Sequence, residues 1–289
     1  NQLGGMSRPP SDSGTLKDFD PVRETAAGPP APVTQGSWRA LFPDVSPDGQ
    51  WLAFKTLSKP EDLFVSRVDG SGLRQLTDDA HRDRAPRWSP DGKRLAFHSN
   101  RSGAYQIWTI ASDGSGLRQL TRLTWGPLVS HPAWSPDGAR LAFFVEGRPP
   151  MIREIVRPWD ERSLESLPLP ESPNTSFLAY SWSSDGRRLA GHRESASGGD
   201  GISVYSFDSR QYQHFTDFGW LPRWLSDDRR LIFWRTAGIY LLDTRSGNVR
   251  QILYAAPNEV WGATPSPDDR RIYFGLGTKE ADVWLMSPE

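Results

Sequence analysis

The feature that most constrains this chain is a string that returns. The segment from Ala85 to Phe97, centred on Trp88-Ser89-Pro90-Asp91-Gly92, recurs from His131 to Phe143 around Trp134-Ser135-Pro136-Asp137-Gly138. Weaker copies read Ser46-Pro47-Asp48-Gly49, Trp182-Ser183-Ser184-Asp185-Gly186, Trp224-Leu225-Ser226-Asp227-Asp228 and Ser266-Pro267-Asp268-Asp269. The first aspartate of each falls at 48, 91, 137, 185, 227 and 268, so the steps are 43, 46, 48, 42 and 41 residues. Periods of this size belong to four-stranded propeller blades, each of which buries its faces only against its neighbours.

Within one unit the turn chemistry separates four short apolar runs. Ser-Pro-Asp-Gly is a turn, because proline presets its own φ and glycine accepts the left-handed conformation. Arg94-Leu95-Ala96-Phe97-His98 is the expected second strand and Tyr105-Gln106-Ile107-Trp108-Thr109-Ile110 the third. The turn Asp113-Gly114-Ser115-Gly116 then leads into Leu117-Arg118-Gln119-Leu120-Thr121, a strong hairpin signal. No segment sustains a helical period. The fold class is therefore all-β, a six-bladed propeller of four-stranded antiparallel blades.

The sixth copy runs short. Its expected third strand, Asp282-Val283-Trp284-Leu285-Met286, has no outer partner after it, whereas Pro32-Val33-Thr34-Gln35 resembles the Arg-Gln-Leu-Thr outer strands. An N-terminal strand is thus expected to complete the last blade, closing the ring and covering an edge that would otherwise invite aggregation. The propeller is expected over 31–289. Residues 1–30, rich in Gly, Pro, Ser and Asp, read as an extension or linker from an upstream domain or anchor.

Tryptophan-Ser-Pro-Asp-Gly, then Arg-Leu-Ala-Phe, then Ile-Trp, then Leu-Arg-Gln-Leu-Thr resembles the TolB-like β-propeller repeat, a relative of the WD-repeat. The resemblance covers about residues 31–289. It implies six blades, and it implies an extracytoplasmic, periplasmic setting. Members include the periplasmic TolB, which contacts a lipoprotein and a membrane-complex partner, domains of bacterial signalling proteins, and gating propellers of peptidases. Fold is firmer here than function, since propellers host unrelated activities.

Composition removes several function classes. There are 34 Lys and Arg against 35 Asp and Glu, so no positive excess exists for gripping a nucleic-acid backbone. No run approaches 18 apolar residues, so no membrane-inserting helix is expected. The absence of cysteine excludes a disulfide framework, a thiol nucleophile and a cysteine zinc site. No Gly-x-Ser-x-Gly elbow and no phosphate-binding glycine loop occurs. The turn aspartates recur once per blade, too far apart to act as a carboxyl pair.

The tryptophans divide by position. Trp88, Trp134, Trp182 and Trp224 repeat at one inner-strand position and read as packing between blades. Trp38, Trp125, Trp220 and Trp261 fall instead in the connections between blades, which by the resemblance gather at one mouth of the central channel. With Arg39, His81, Arg82, Asp83, Arg84, His131 and Glu259 they are the expected binding mouth, combining the aromatics and arginines typical of interface anchors. Two positions before each turn lies a second ring, in which Asp44, Arg87 and Arg223 would give the channel mixed charge suited to an anionic or peptide ligand. His98, His192 and His214 read as structural or solvated strand-end residues.

The function expected is a non-catalytic, monomeric module binding a protein or peptide, as an interaction or sensory domain of a bacterial envelope or signalling protein. A small ligand is the lesser alternative, and no cofactor or metal is expected. The competing class is a metal-assisted lyase or hydrolase at the mouth, built on His81 and His131, the two histidines at matching connections.

Overall fold

The computed structural model describes residues 14–23, 25–34, 40–57, 60–124, 128–170, 175–195 and 201–277. Within them, twenty-four strands form six four-stranded antiparallel sheets, the blades of a β-propeller. Blades 1 to 5 run from inner to outer strand in chain order, over 41–75, 83–119, 129–166, 175–214 and 220–254. Second strands are the most deeply buried: every residue of Arg94–Ser99 after the arginine is buried, and Arg140–Val145 repeats the pattern. A central strand covered on both faces reads as a continuous apolar run, which is why Leu-Ala-Phe recurs there. Among the described residues no helix is long and apolar enough to cross a membrane.

Blade 6 closes the ring with N-terminal chain, but through two strands. Its inner strand is Glu259–Pro265 and its second Arg271–Gly277; Gly14–Asp20 pairs antiparallel with the second, and Thr25–Pro32 lies outside it. The third position expected for Asp282–Met286 is thus taken by Gly14–Asp20, and 282–286 lies outside the described residues. Blade material begins at residue 14 rather than 31, so much of the segment read as an extension is sheet. The reason it escaped notice is chemical. Gly14–Asp20 carries one large aromatic, Phe19, which is 3% exposed and packs into the largest apolar cluster. Its inward partner two residues earlier is Lys17, whose ammonium burial lowers to about 8. The match at Pro32-Val33-Thr34 marks the end of the outer strand. Val33 and Thr34 are buried there. In blades 1 and 2 the corresponding threonines, Thr77 and Thr121, accept the backbone N–H of Leu63 and Ile107 at 3.0 and 2.8 Å.

The repeated turns make a second, chemically exact ring on the opposite rim. In blade 2, Ser89 Oγ donates to Asp91 Oδ1 at 2.6 Å, and Asp91 accepts the Lys93 N–H at 3.1 Å. Gly92 turns the chain with φ +68°, and the proline of the preceding turn, Pro47, stands 3.7 Å from where a Cβ would be. Pro90 meets Gly138, Pro136 meets Gly186 and Pro267 meets Gly49 in the same way. The degraded copies substitute a different contact. Ser184 and Ser226 replace proline, and aspartates at φ +52° and +58°, Asp228 and Asp269, replace the following glycines. Asp228 accepts both the N–H and the hydroxyl of Ser184, at 2.5 and 2.6 Å. Asp269 does the same for Ser226, at 2.9 and 2.6 Å. Four Pro–Gly contacts and two Ser–Asp clasps thus link all six turns. Aspartate tolerates the left-handed region better than most residues, which makes the exchange possible.

Two outcomes follow. Phe19→Ala is expected to lower unfolding free energy by about 3 kcal/mol or more in denaturant titration; an unchanged midpoint would mean that residues 14–20 do not close the ring. Ser184→Pro removes both donors to Asp228 and is expected to destabilise by about 1–2 kcal/mol. In the Asp228→Gly background the same substitution should be close to neutral, a coupling of about 1 kcal/mol that additive behaviour would refute.

Candidate functional site

Antiparallel pairing sets the start of each inner strand level with the end of its second strand. The level at the mouth therefore consists of the pairs Leu41–Lys55, Arg84–His98, Ser130–Phe144, Leu178–His192, Trp220–Trp234 and Trp261–Gly275. One step further in, every inner strand carries a β-bulge. Four bulges read Phe42-Pro43, Ala85-Pro86, His131-Pro132 and Leu221-Pro222, with φ of 53°, 52°, 52° and 50° at the first residue. An inner strand has one unpaired edge, so proline's missing N–H leaves no ladder bond broken. Gly262 takes the place in blade 6, at φ +79°; a Cβ there would stand 2.9 Å from Phe42 Cα. Bulges re-aim side chains, and this one turns His131 inward.

Beyond the bulges lies the ring of Asp44, Arg87, Ala133, Ser181, Arg223 and Thr264. Arg223 Nη2 is 2.9 Å from Asp44 Oδ1, and Arg87 Nη1 is 3.7 Å from the same oxygen. Asp44 Oδ2 accepts the Trp88 N–H at 2.8 Å. Blade 5 thus reaches blade 1, forming a charged floor. Burial, then the neighbouring Arg223 guanidinium, brings Arg87 down to about 9. The same ring fixes the blades to one another: the indole N–H of Trp88, Trp134 and Trp182 donates to the carbonyls of Asp44, Arg87 and Ala133, at 3.2, 3.2 and 3.1 Å.

Above this floor the walls differ by blade. At blades 1 and 2, Glu61 receives Lys55 Nζ at 2.6 Å and a two-pronged contact from Arg84, also at 2.6 Å. Burial pushes the Glu61 carboxyl up, but these hydrogen bonds outweigh it and hold it at about 2. Towards blades 3 and 4 a chain of rings runs from His98 to His131, from His131 to Tyr180 and from Tyr180 to His192, with centroids 5.4, 5.2 and 5.2 Å apart. His98 and His192 are buried, and the Nδ1 of each has no hydrogen-bond partner. Burial, then the Arg87 charge, lowers His131 to about 3, so the ring is neutral at ordinary pH. At blades 5 and 6, Trp220, Trp234 and Trp261 follow one another at 5.2 and 6.1 Å, and Arg235 lies 5.8 Å over Trp220. Trp261 is 36% exposed.

The residues expected at the mouth have varied placements. Trp38, Arg39 and Trp125 lie outside the described residues. His81 is a half-buried loop residue whose N–H is held by Asp79, and Arg82 is exposed, its N–H held by Asn100. Asp83 does not line the mouth: it is fully buried, with Arg101 Nη2 at 2.6 Å. Glu259 opens the inner strand of blade 6 and is half-buried. The ring neighbours of His131 are His98, on the second strand of blade 2, and Tyr180, on the inner strand of blade 4, rather than His81. His98 and His192, read as structural or solvated strand-end residues, are buried towards the ends of their second strands. His214, on an outer strand, bonds to Asp217 and Ser203 at 2.9 and 3.1 Å. Lys55, Glu61, Tyr180 and Trp234 were missed. The signal for the two second-strand residues, Lys55 and Trp234, was present, since Lys55, His98, Phe144, His192, Trp234 and Gly275 occupy one position of the repeat.

Comparison with known proteins agrees with this architecture. Dipeptidyl-peptidase 5 of Porphyromonas gingivalis is 40% identical over 70 residues, 22% of this chain and 10% of that protein. The Tol-Pal system protein TolB of Syntrophus aciditrophicus is 40% identical over 57 residues, 20% of this chain and 13% of that protein. The chain therefore spans a small part of the length of these relatives. A putative TolB from Agrobacterium tumefaciens superposes with a TM-score of 0.69 at 18% identity, covering 91% of this chain and 98% of that one. The PD40 family, the TolB beta propeller domain, matches residues 23–174, more than half of the sequence. With six such blades closed by its N-terminal strands, this chain belongs to the TolB β-propeller family.

Proposed function

We propose that the chain is a binding module that takes a protein or peptide partner at the mouth formed where the blades connect. The observation that carries this reading is the asymmetry between the two rims. One rim presents Trp220 and Trp261 at blades 5 and 6 and the Lys55–Glu61–Arg84 cluster at blades 1 and 2. The other presents small turn residues already engaged with the next turn. Rigid aromatics and arginines supply much of a typical interface's energy, and a partly exposed tryptophan beside arginine is suited to anchor a partner. Family membership supports the same reading, and with it an extracytoplasmic role in an envelope or signalling assembly.

The other reading, a metal-assisted lyase or hydrolase, has the cluster of His98, His131 and His192 in its favour, and a peptidase among the relatives. Tyr180 stands between His131 and His192, and among the described residues no three His, Asp or Glu side chains converge on one point.

Trp261→Ala is expected to weaken a partner recovered by pull-down about thirty-fold, roughly 2 kcal/mol, at matched folded concentration. Asp91→Ala, on the turn rim, should leave that affinity unchanged; the reverse pattern would put the partner on the wrong face. Elemental analysis of protein purified without chelators is expected to find far less than one equivalent of transition metal. A full equivalent, lost on replacing His98 and His131 by alanine, would favour the enzyme.

A further inference from the structure

At two levels of the channel a single carboxylate serves two cations. At the floor, one carboxylate, Asp44, serves two guanidinium groups, and its second oxygen is already committed to the Trp88 N–H. Arg223 holds the closer contact at 2.9 Å, leaving Arg87 at 3.7 Å with the Pro86 carbonyl as its hydrogen-bond acceptor at 3.0 Å. One level up the imbalance repeats, because Glu61 alone serves both Lys55 and Arg84. Lys55 and Arg84 meet at Glu61, and Arg84 pairs across blade 2 with His98, three residues before Arg87 on the same inner strand, so these cations lie on one side of the channel. Other acids near this level have partners of their own or stand at another blade: Asp79 and Asp83 share Arg101 at 3.0 and 2.6 Å, Asp62 is held by Gln75 and Thr77, Glu194 by His192 at 3.0 Å, and Glu259 opens blade 6. A buried guanidinium without a carboxylate of its own is costly, and an anionic ligand relieves that cost.

We propose that the channel mouth receives a carboxylate, carried on an acidic side chain of the bound peptide, which lies between Arg84 and Arg87 beside the neutral rings of His98 and His131. A planar carboxylate matches the two-pronged donor face of a guanidinium, and such charge-assisted bonds strengthen where water is scarce. Arg84 is 33% exposed at the mouth, whereas the Arg223, Asp44 and Arg87 side chains below it are 12%, 11% and 5% exposed, so an entering carboxylate meets Arg84 first, with Arg87 beneath it. Trp220 lies three residues before Arg223 on one inner strand, which lets a peptide set an apolar residue on the tryptophans while its acid enters the channel. This inference rests on the peptide-binding reading and adds the chemistry of the residue that enters.

The test is calorimetric titration with acetyl-Glu-Glu-Trp-Glu-Glu-amide, its all-glutamine counterpart and citrate. The acidic peptide is expected to bind at least tenfold more tightly than the glutamine peptide, about 1.4 kcal/mol, and more tightly than citrate. Arg87→Gln should lose that tenfold preference. Asp44→Asn, which frees guanidinium donors and raises the positive surplus, should tighten the acidic peptide several-fold while leaving the glutamine peptide unchanged. Thermal melts confirm that each variant is folded, and the opposite signs expected of the two variants separate recognition from damage. Equal affinities for the two peptides, no binding of either, or no gain from Asp44→Asn would overturn the proposal. Citrate binding as tightly as the peptide would overturn its assignment to a peptide side chain. If Trp261→Ala weakens both peptides alike while their charge makes no difference, the carboxylate assignment fails and the peptide-binding mouth stands.

Discussion

The structure depends on each blade burying its faces against the next all the way round, a contact that blades 2, 3 and 4 reinforce with the same indole hydrogen bond. A propeller blade is a twisted sheet with two apolar faces and no core of its own, so one poor interface exposes both neighbours. Here the repeated inner-strand tryptophan serves that contact twice, through its ring area and through an indole N–H given to the preceding blade's carbonyl. Those carbonyls belong to Asp44, Arg87 and Ala133, whose side chains point to the channel. The packing that holds the ring therefore also fixes the charged floor. Closure by Gly14–Asp20 applies the same rule at the seam, where Phe19 enters a cluster with residues from blades 3, 4, 5 and 6.

Much of this was legible in the sequence because repetition is a strong signal. Six turns at near-constant spacing gave the blade number, and their chemistry gave the hairpins. Sequence failed where the pattern was carried by exceptions. Gly14–Asp20 has one aromatic and a buried lysine, which resembles linker composition until its partner strand is known. The turns at Ser226-Asp227-Asp228 and Pro267-Asp268-Asp269 looked like decay, yet the extra aspartate of each completes a serine–aspartate clasp in place of a proline–glycine contact. At the channel, spacing identified Asp44, Arg87 and Arg223 as ring positions but not that two arginines share one acid. The cluster of His98, His131, Tyr180 and His192 joins inner and second strands, and only the bulge register brings them together.

The bulges explain why the mouth is suited to recognition. Left-handed backbone at Phe42, Ala85, His131 and Leu221, each followed two residues later by a buried or half-buried ring position of the floor, is unfavourable locally and is held by the surrounding sheet. It displaces inner-strand side chains from strict alternation, so that His131 faces rings from blades 2 and 4. Charges and tryptophans supported on short, sheet-anchored segments lose little freedom when a partner arrives, which favours binding without rearrangement.

The central claim is that the blade-connection mouth, above the Asp44–Arg87–Arg223 floor, is the working face. Hydrogen–deuterium exchange with and without a bound partner tests it most directly, since it reports both rims in one experiment. The account predicts slower exchange at the mouth-side segments 128–131, 219–221 and 259–262, with the turns at 46–49, 89–92 and 135–138 unchanged. Protection confined to those turns would contradict it.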